Sequence, residues 1–216
     1  RHWPDRPHVT AGLDREAGGS WLGMNDDRLV AGVLNRQGSL GPQAGKRSRG
    51  ELPLDALDHA EASEAAEALS HLDGGAYRSF NLIVADATDA YWIAGDGKRG
   101  IVRVEPLPEG VSVITAHDLN DAASPRIARY RPLFQAAEVP DPAKGAEGWS
   151  AWVDLVSDYK DRQPGEERDS MAFSTDFGFE TVSSSLIALP RPHQPEMKPQ
   201  WLFCAGRPRP GGFEAI

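Results

Sequence analysis

In the stretch "ITAHDLNDAASPRIARY", residues 114–130, an apolar run gives way to a polar loop and then to the start of a helix. Asn120 stands in that loop, at the point where a strand is expected to leave its sheet. An amide NH2 held there can donate to an oxyanion as it forms, a contribution of about 3–4 kcal/mol in well-formed sites. Asn35, in "GGSWLGMNDDRLVAGVLNRQG" (residues 18–38), stands at a second strand exit. An asparagine in either place also serves an ordinary turn, so residue type alone leaves both readings open. His117, Asp118 and Asp121 in "HDLND" carry donor atoms for a metal, but without the close His or Cys spacing that zinc needs. The expectation is that no metal is bound.

Other constellations fall short of their chemistry. Neither "GGSWLG" nor "VSSSL" meets the G-x-S-x-G elbow, so Ser183, Ser184 and Ser185 read as hydroxyls on a strand. "GDGKRG", residues 95–100, lacks the Walker spacing and falls in a hairpin turn. The basic cluster "GKRSRGE", residues 45–51, reads as a solvated loop or helix entrance. An anionic ligand is its alternative, because arginine pairs well with carboxylate and phosphate.

The chain of 216 residues is 40% hydrophobic, enough for one globular domain or at most two small ones. A formal net charge of −9 excludes the basic surface that a nucleic-acid binder uses to displace counterions. Cys204 is the single cysteine, so no intrachain disulfide forms. Its apolar surroundings, "WLFCAG", make it a buried small hydrophobe rather than a nucleophile. No apolar run approaches the roughly 18 residues of a membrane span. The lone cysteine, the lack of a visible leader, and a composition rich in Ala, Gly, Pro, Arg and Asp point to a bacterial, cytoplasmic protein.

The elements that position these residues follow from pattern. Residues 1–18 read as an irregular approach. "SWLGMN" and "LVAGVLN" are short strands around a turn at Asn25, Asp26 and Asp27, and 36–50 is a loop. Residues 51–72 read as one helix, with Ala62, Ala65, Leu69 and Leu72 as its apolar stripe and Gly74 and Gly75 as its stop. Four tightly spaced strands come next, "FNLIVAD", "AYWIAG", "GIVRVEPL" and "VSVITAH", and such spacing favours an antiparallel meander. Ser124–Pro125 begins a helix with stripe Ile127, Tyr130, Phe134 and Ala137. Trp149, Trp152, Val153 and Val156 mark another. Residues 160–179 are a polar loop, and "TVSSSLIALP" and "QWLFCAG" close the chain as strands. The order predicts an α+β fold.

The ordered set "GGSWLGMNDDRLVAGVLNRQG", "KRSRGELPLDAL", "FNLIVADATDAYW", "TAHDLNDAASPRIAR" and "TVSSSLIAL…WLFCAG" resembles the NRDE family, which includes the transport and Golgi organisation protein 2 group. The resemblance implies one N-terminal-nucleophile-hydrolase-like domain over 1–216, a four-layer αββα arrangement with antiparallel sheets between helix layers. More distantly the chain is similar to choloylglycine hydrolases and penicillin V acylases. By that likeness Asn120 matches the oxyanion-hole asparagine, and Asn35 lies on a loop lining the pocket. Family members begin Met-Cys and then carry the Asn-Arg-Asp-Glu motif; this chain begins with Arg1 and has neither. The expectation is therefore that some three dozen residues, with the cysteine nucleophile and the first two strands, lie upstream of Arg1. The full-length protein is then expected to hydrolyse amide or thioester bonds of a small-molecule substrate, with no cofactor required. The family's links to haem trafficking and lipid homeostasis imply an alternative: non-catalytic binding of haem or another apolar ligand. In that case His117 is a candidate axial ligand, and Trp21, Trp92 and Trp201 are candidate pocket walls. A third reading, an interaction protein with an acidic surface, has no motif behind it.

Overall fold

Residues that alternate in character build the first sheet. Along Phe80–Ala85, the side chains of Phe80, Leu82 and Val84 are fully buried on one face, as a strand period of two requires. The computed structural model describes residues 1–98, 100, 102–159, 169–175, 178, 180–194 and 196–216. They form an α+β protein of two compact units: Arg1–Leu119 with Arg191–His193, and Asn120–Pro190 with Gln194–Ile216.

The first unit holds a six-stranded antiparallel meander: β1 (Val9–Ala11), β2 (Leu22–Asn25), β3 (Val30–Asn35), β4 (Phe80–Ala85), β5 (Ala90–Gly95) and β6 (Arg103–Pro106). Two helices, α1 (Glu51–Ala56) and α2 (Ala62–Ser70), enter between β3 and β4. Leu52, Leu54, Ala62, Ala65 and Leu69 of the helices share one core with Val9, Ala31, Leu82, Val84 and Ile93 of the sheet. Burial of such side chains stabilises by about 1.5–3 kcal/mol each. Gly95 lies opposite Phe80, and a Cβ there would collide with the Phe80 ring. Across β4 and β5 the register Asn81↔Ala94 and Ile83↔Trp92 puts Asn81 and Trp92 together on the sheet's other face.

Five local expectations change. Residues 1–18 contain β1, whose inward Val9 and Ala11 are too short a run to announce a strand. The single helix over 51–72 is two, because the carbonyls of Leu57 and His59 go to the side chain of Asn25. Its second part starts under a remote cap, as Asp86 Oδ2 accepts from the Ala62 amide at 2.8 Å. Burial pushes the Asp86 carboxyl up, but bonds from the amides of Ala62, Asp89 and Thr88 outweigh that and hold it below its ordinary value. The expected stop, Gly74–Ala76, is itself a 3-10 turn. "VSVITAH" forms no strand; the carbonyls of Thr115, Ala116 and His117 instead take the Asn81 side chain and the Gln37 amide. Finally, Trp21 is 46% exposed and is no interior wall, whereas Trp92 and Trp201 are buried.

The second unit carries α3 (Pro125–Ala136), α4 (Ser150–Val156) and an antiparallel sheet of β7 (Ser183–Ala188), β8 (Gln200–Ala205) and β9 (Glu214–Ala215). Ser124 caps α3 by accepting from the Ile127 amide, and Pro125 stands in its first turn. Ile127, Tyr130 and Phe134 form its buried face. Tyr130 donates to Asp158 Oδ2 at 2.6 Å, which also receives Arg129 Nη2 at 3.0 Å. Burial, then the bond to Asp158, pushes the Tyr130 hydroxyl up to about 12. A 3-10 segment, Pro142–Trp149, leads into α4, where Trp149 and Val153 pack with Leu186 and Leu202. Most of the loop expected over 160–179 lies outside the described residues.

Candidate functional site

Asn81 is the only polar residue of β4, on the face opposite Phe80, Leu82 and Val84, and it is fully buried. Asparagine is a poor strand former, so its place there rests on what it bonds. Its Nδ2 donates to the carbonyls of Thr115 and His117, each at 2.8 Å. Its Oδ1 accepts from Arg36 Nη1 at 2.6 Å and Trp92 Nε1 at 3.1 Å. All four bonds lie in a region where an unmade one leaves a desolvated polar group.

Arg36 extends the network outward. It follows Asn35, the last residue of β3, and its Nη2 pairs with Asp118 Oδ1. Asp118 Oδ2 takes Arg103 Nη2 at 2.7 Å, and the Arg103 guanidinium lies 4.2 Å from the centre of the Trp92 ring. Arg103 and Trp92 are diagonal neighbours across β5 and β6, a spacing long side chains span. Burial pushes the Asp118 carboxyl up, but its bonds to Arg103 and Arg36 outweigh that and hold it below its ordinary value. A second tie, Gln37 N–H to Ala116 O at 3.1 Å, joins the same two segments. The segment 115–118 is thus held by a side-chain amide, a backbone amide and two guanidinium–carboxylate pairs.

The expected site residues fall as follows. Asn35 ends β3 with its side chain exposed. His117 is half-buried; its carbonyl is an Asn81 acceptor and its amide donates to Thr115 Oγ1 at 3.3 Å. Asn120 is half-buried and has φ +56, the left-handed region, which asparagine tolerates better than most residues. No strand precedes it, contrary to expectation. The structure joins the residue after Asn35 to the residue after His117; Asn120 opens the second unit. Pattern reading missed Asn81, although a lone amide inside the apolar run "FNLIVA" was a signal. It also gave no role to Arg36 or Arg103, whose meaning depends on Asp118, 82 positions beyond Arg36 in the chain.

Cys204 is fully buried, with Sγ near the carbonyls of Ala205 and Arg207. Among the described residues no group of three His, Cys, Asp or Glu side chains gathers, and no helix is long and apolar enough to cross a membrane. The comparison with curated proteins found no match. A family model described as Transport and Golgi organisation 2 matches residues 1–183. This match spans the meander, the Asn81 network and the loop of Asn120, and the chain belongs to the Transport and Golgi organisation 2 family.

Proposed function

We propose that the protein is a hydrolase of amide or thioester bonds in small molecules, with Asn120 as the donor to the oxyanion. The observation that carries this reading is the backbone of Asn120. Its φ of +56 is a conformation few non-glycine residues adopt, and such residues concentrate at active sites. It follows by two positions a residue, Asp118, that is tied to Arg36 and Arg103. An oxyanion donor works by being fixed before the reaction, so a firmly held approach is what the chemistry asks for. In this reading a thiolate attacks the carbonyl carbon and the developing oxyanion accepts from Asn120 Nδ2–H. The amine or thiol leaves, and water then releases the acyl group. In this reading the thiolate is that of the family's N-terminal cysteine, because Cys204 is buried. The domain is then of the N-terminal-nucleophile type, with helix layers outside antiparallel sheets.

The test uses the longest natural form of the polypeptide against a panel of acyl amides and thioesters. Asn120→Gly keeps the left-handed backbone and removes the amide. We expect it to lower kcat by about 10²–10³ with an unchanged unfolding midpoint. No turnover by the unsubstituted protein, or equal turnover by the variant, would contradict the reading.

A second reading, binding of haem or a lipid metabolite without catalysis, has one observation in its favour. The indole N–H groups of Trp149, Trp152 and Trp201 are buried without a hydrogen-bond acceptor among the described residues, and a small hollow beside that core is lined by Val153, Leu202 and Phe213. Haem or an acyl ligand should quench their fluorescence saturably. An unchanged Soret spectrum in His117→Ala would remove His117 as a ligand.

A further inference from the structure

The chain carries nine more acidic than basic residues, and several of its arginines pair with a carboxylate. Arg6 pairs with Asp58, Arg36 and Arg103 with Asp118, Arg47 with Glu51, and Arg129 with Asp158. Arg49 and Arg78 differ. Among the described residues neither meets a carboxylate, and both converge on the backbone of one loop. Arg49 Nη1 donates to Ser39 O at 2.6 Å, Ser39 Oγ at 2.9 Å and Ser79 O at 3.2 Å. Arg78 Nη1 donates to Leu40 O at 2.6 Å and Gly41 O at 3.2 Å, with Pro42 O at 3.5 Å, and its Nη2 to Gly38 O at 2.9 Å. The two guanidiniums share an acceptor, because Arg49 Nη2 also reaches Gly41 O, at 3.4 Å. Burial first, and the Arg78 charge second, hold the Arg49 guanidinium below its ordinary value, which agrees with two cations standing close.

A guanidinium has five N–H donors. Each of these two has its Nη1 hydrogens engaged and spends one contact from Nη2. That leaves Nε–H and one Nη2 hydrogen on each without an acceptor among the described residues. Nε and Nη2 form the side edge of the guanidinium, the fork that grips two oxygens of one anion. Carbonyl oxygens satisfy hydrogen bonds but do not neutralise charge, so two positive charges remain side by side. A monocarboxylate would neutralise one of them; a phosphate dianion matches both.

We propose that Arg49 and Arg78 form a binding site for a phosphate group, free or carried on a small molecule, at the loop 38–42. The test measures the unfolding midpoint in increasing phosphate, against acetate and chloride at matched ionic strength. Phosphate should raise it saturably, acetate less, and chloride not at all. Both side chains are half-buried, and Arg78→Gln should weaken the phosphate response about tenfold or more, since a hydrogen bond to a charged group contributes about 1.5–3 kcal/mol. Arg78→Lys, which keeps the charge and loses the fork, should fall between. In the unsubstituted protein the Nε–H resonances of Arg49 and Arg78 should shift together with phosphate, a readout that needs no variant. The proposal is overturned by equal midpoints in phosphate and chloride, or by an undiminished phosphate response in Arg78→Gln. It is equally overturned if other arginines shift and these two do not. An addition of a phosphate monoester alongside inorganic phosphate separates the two sources: tighter binding of the ester assigns the site to a small molecule, and equal binding to the free ion.

Discussion

Asn25 and Asn81 are buried amides in the same sheet with opposite surroundings. Asn25, at 4% exposure, gives its Nδ2 hydrogens to Leu57 O and His59 O and takes the Leu29 amide on Oδ1. Every partner is backbone. Asn81 likewise gives both hydrogens to two carbonyls of a passing segment, but its Oδ1 takes Arg36 and Trp92, and the chain of bonds runs on to Asp118 and Arg103. The first network closes on itself and fixes the break between α1 and α2. The second ends in partly exposed charges. Burial of a polar side chain is therefore common to both; what separates a purely structural amide from one that organises a candidate site is where its last acceptor leads.

The largest expected effect comes from removing the open network. Asn81→Ala gives up four hydrogen bonds, one of them to a guanidinium, and should lower the unfolding free energy by about 3–5 kcal/mol in urea. Asn25→Ala gives up three bonds to backbone and should cost about 2–3 kcal/mol. An Asn25 variant as damaging as the Asn81 variant would show that the charged arm adds nothing. Asp118→Asn sharpens the contrast. Its side chain is 39% exposed, so solvent screens the pairs, and a loss of about 0.5–1 kcal/mol that shrinks in high salt is expected.

The smallest effect is in pH. Asp118 is held below its ordinary value, so the stability it contributes is present above the unfolded carboxyl range near pH 4 and is lost as pH falls through the depressed folded value. Acid titrations of the unsubstituted protein and Asp118→Asn should therefore converge at low pH, while Asn25→Ala should keep the parent's slope. A parallel offset for Asp118→Asn down to the lowest pH would contradict the assignment.

Much of the fold was legible because it rests on period-two alternation and short turns. The strand pairs β2–β3, β4–β5 and β7–β8 and the Ser124 cap follow from neighbours in sequence. What pattern could not supply are interactions between distant residues. The helix over 51–72 breaks because Asn25, 32 positions before Leu57, competes for its carbonyls. "VSVITAH" has the composition of a strand, yet Asn81 and Gln37 take the carbonyls that a ladder would use. Of the candidate network, the sequence offered the segments carrying Asn35 and His117, and Arg36 and Asp118 join them. The amide that holds them, Asn81, was hidden by the strand around it.

Hydrogen exchange at two backbone amides tests most directly the claim that Asn81 holds the 115–118 segment. The Gln37 amide donates to Ala116 O, and the Leu29 amide donates to Asn25. Asn81→Ala should speed exchange at Gln37 and leave Leu29 protected, while Asn25→Ala should do the reverse. Equal acceleration at both amides in both variants would mean that the two networks open only together, and would contradict the claim.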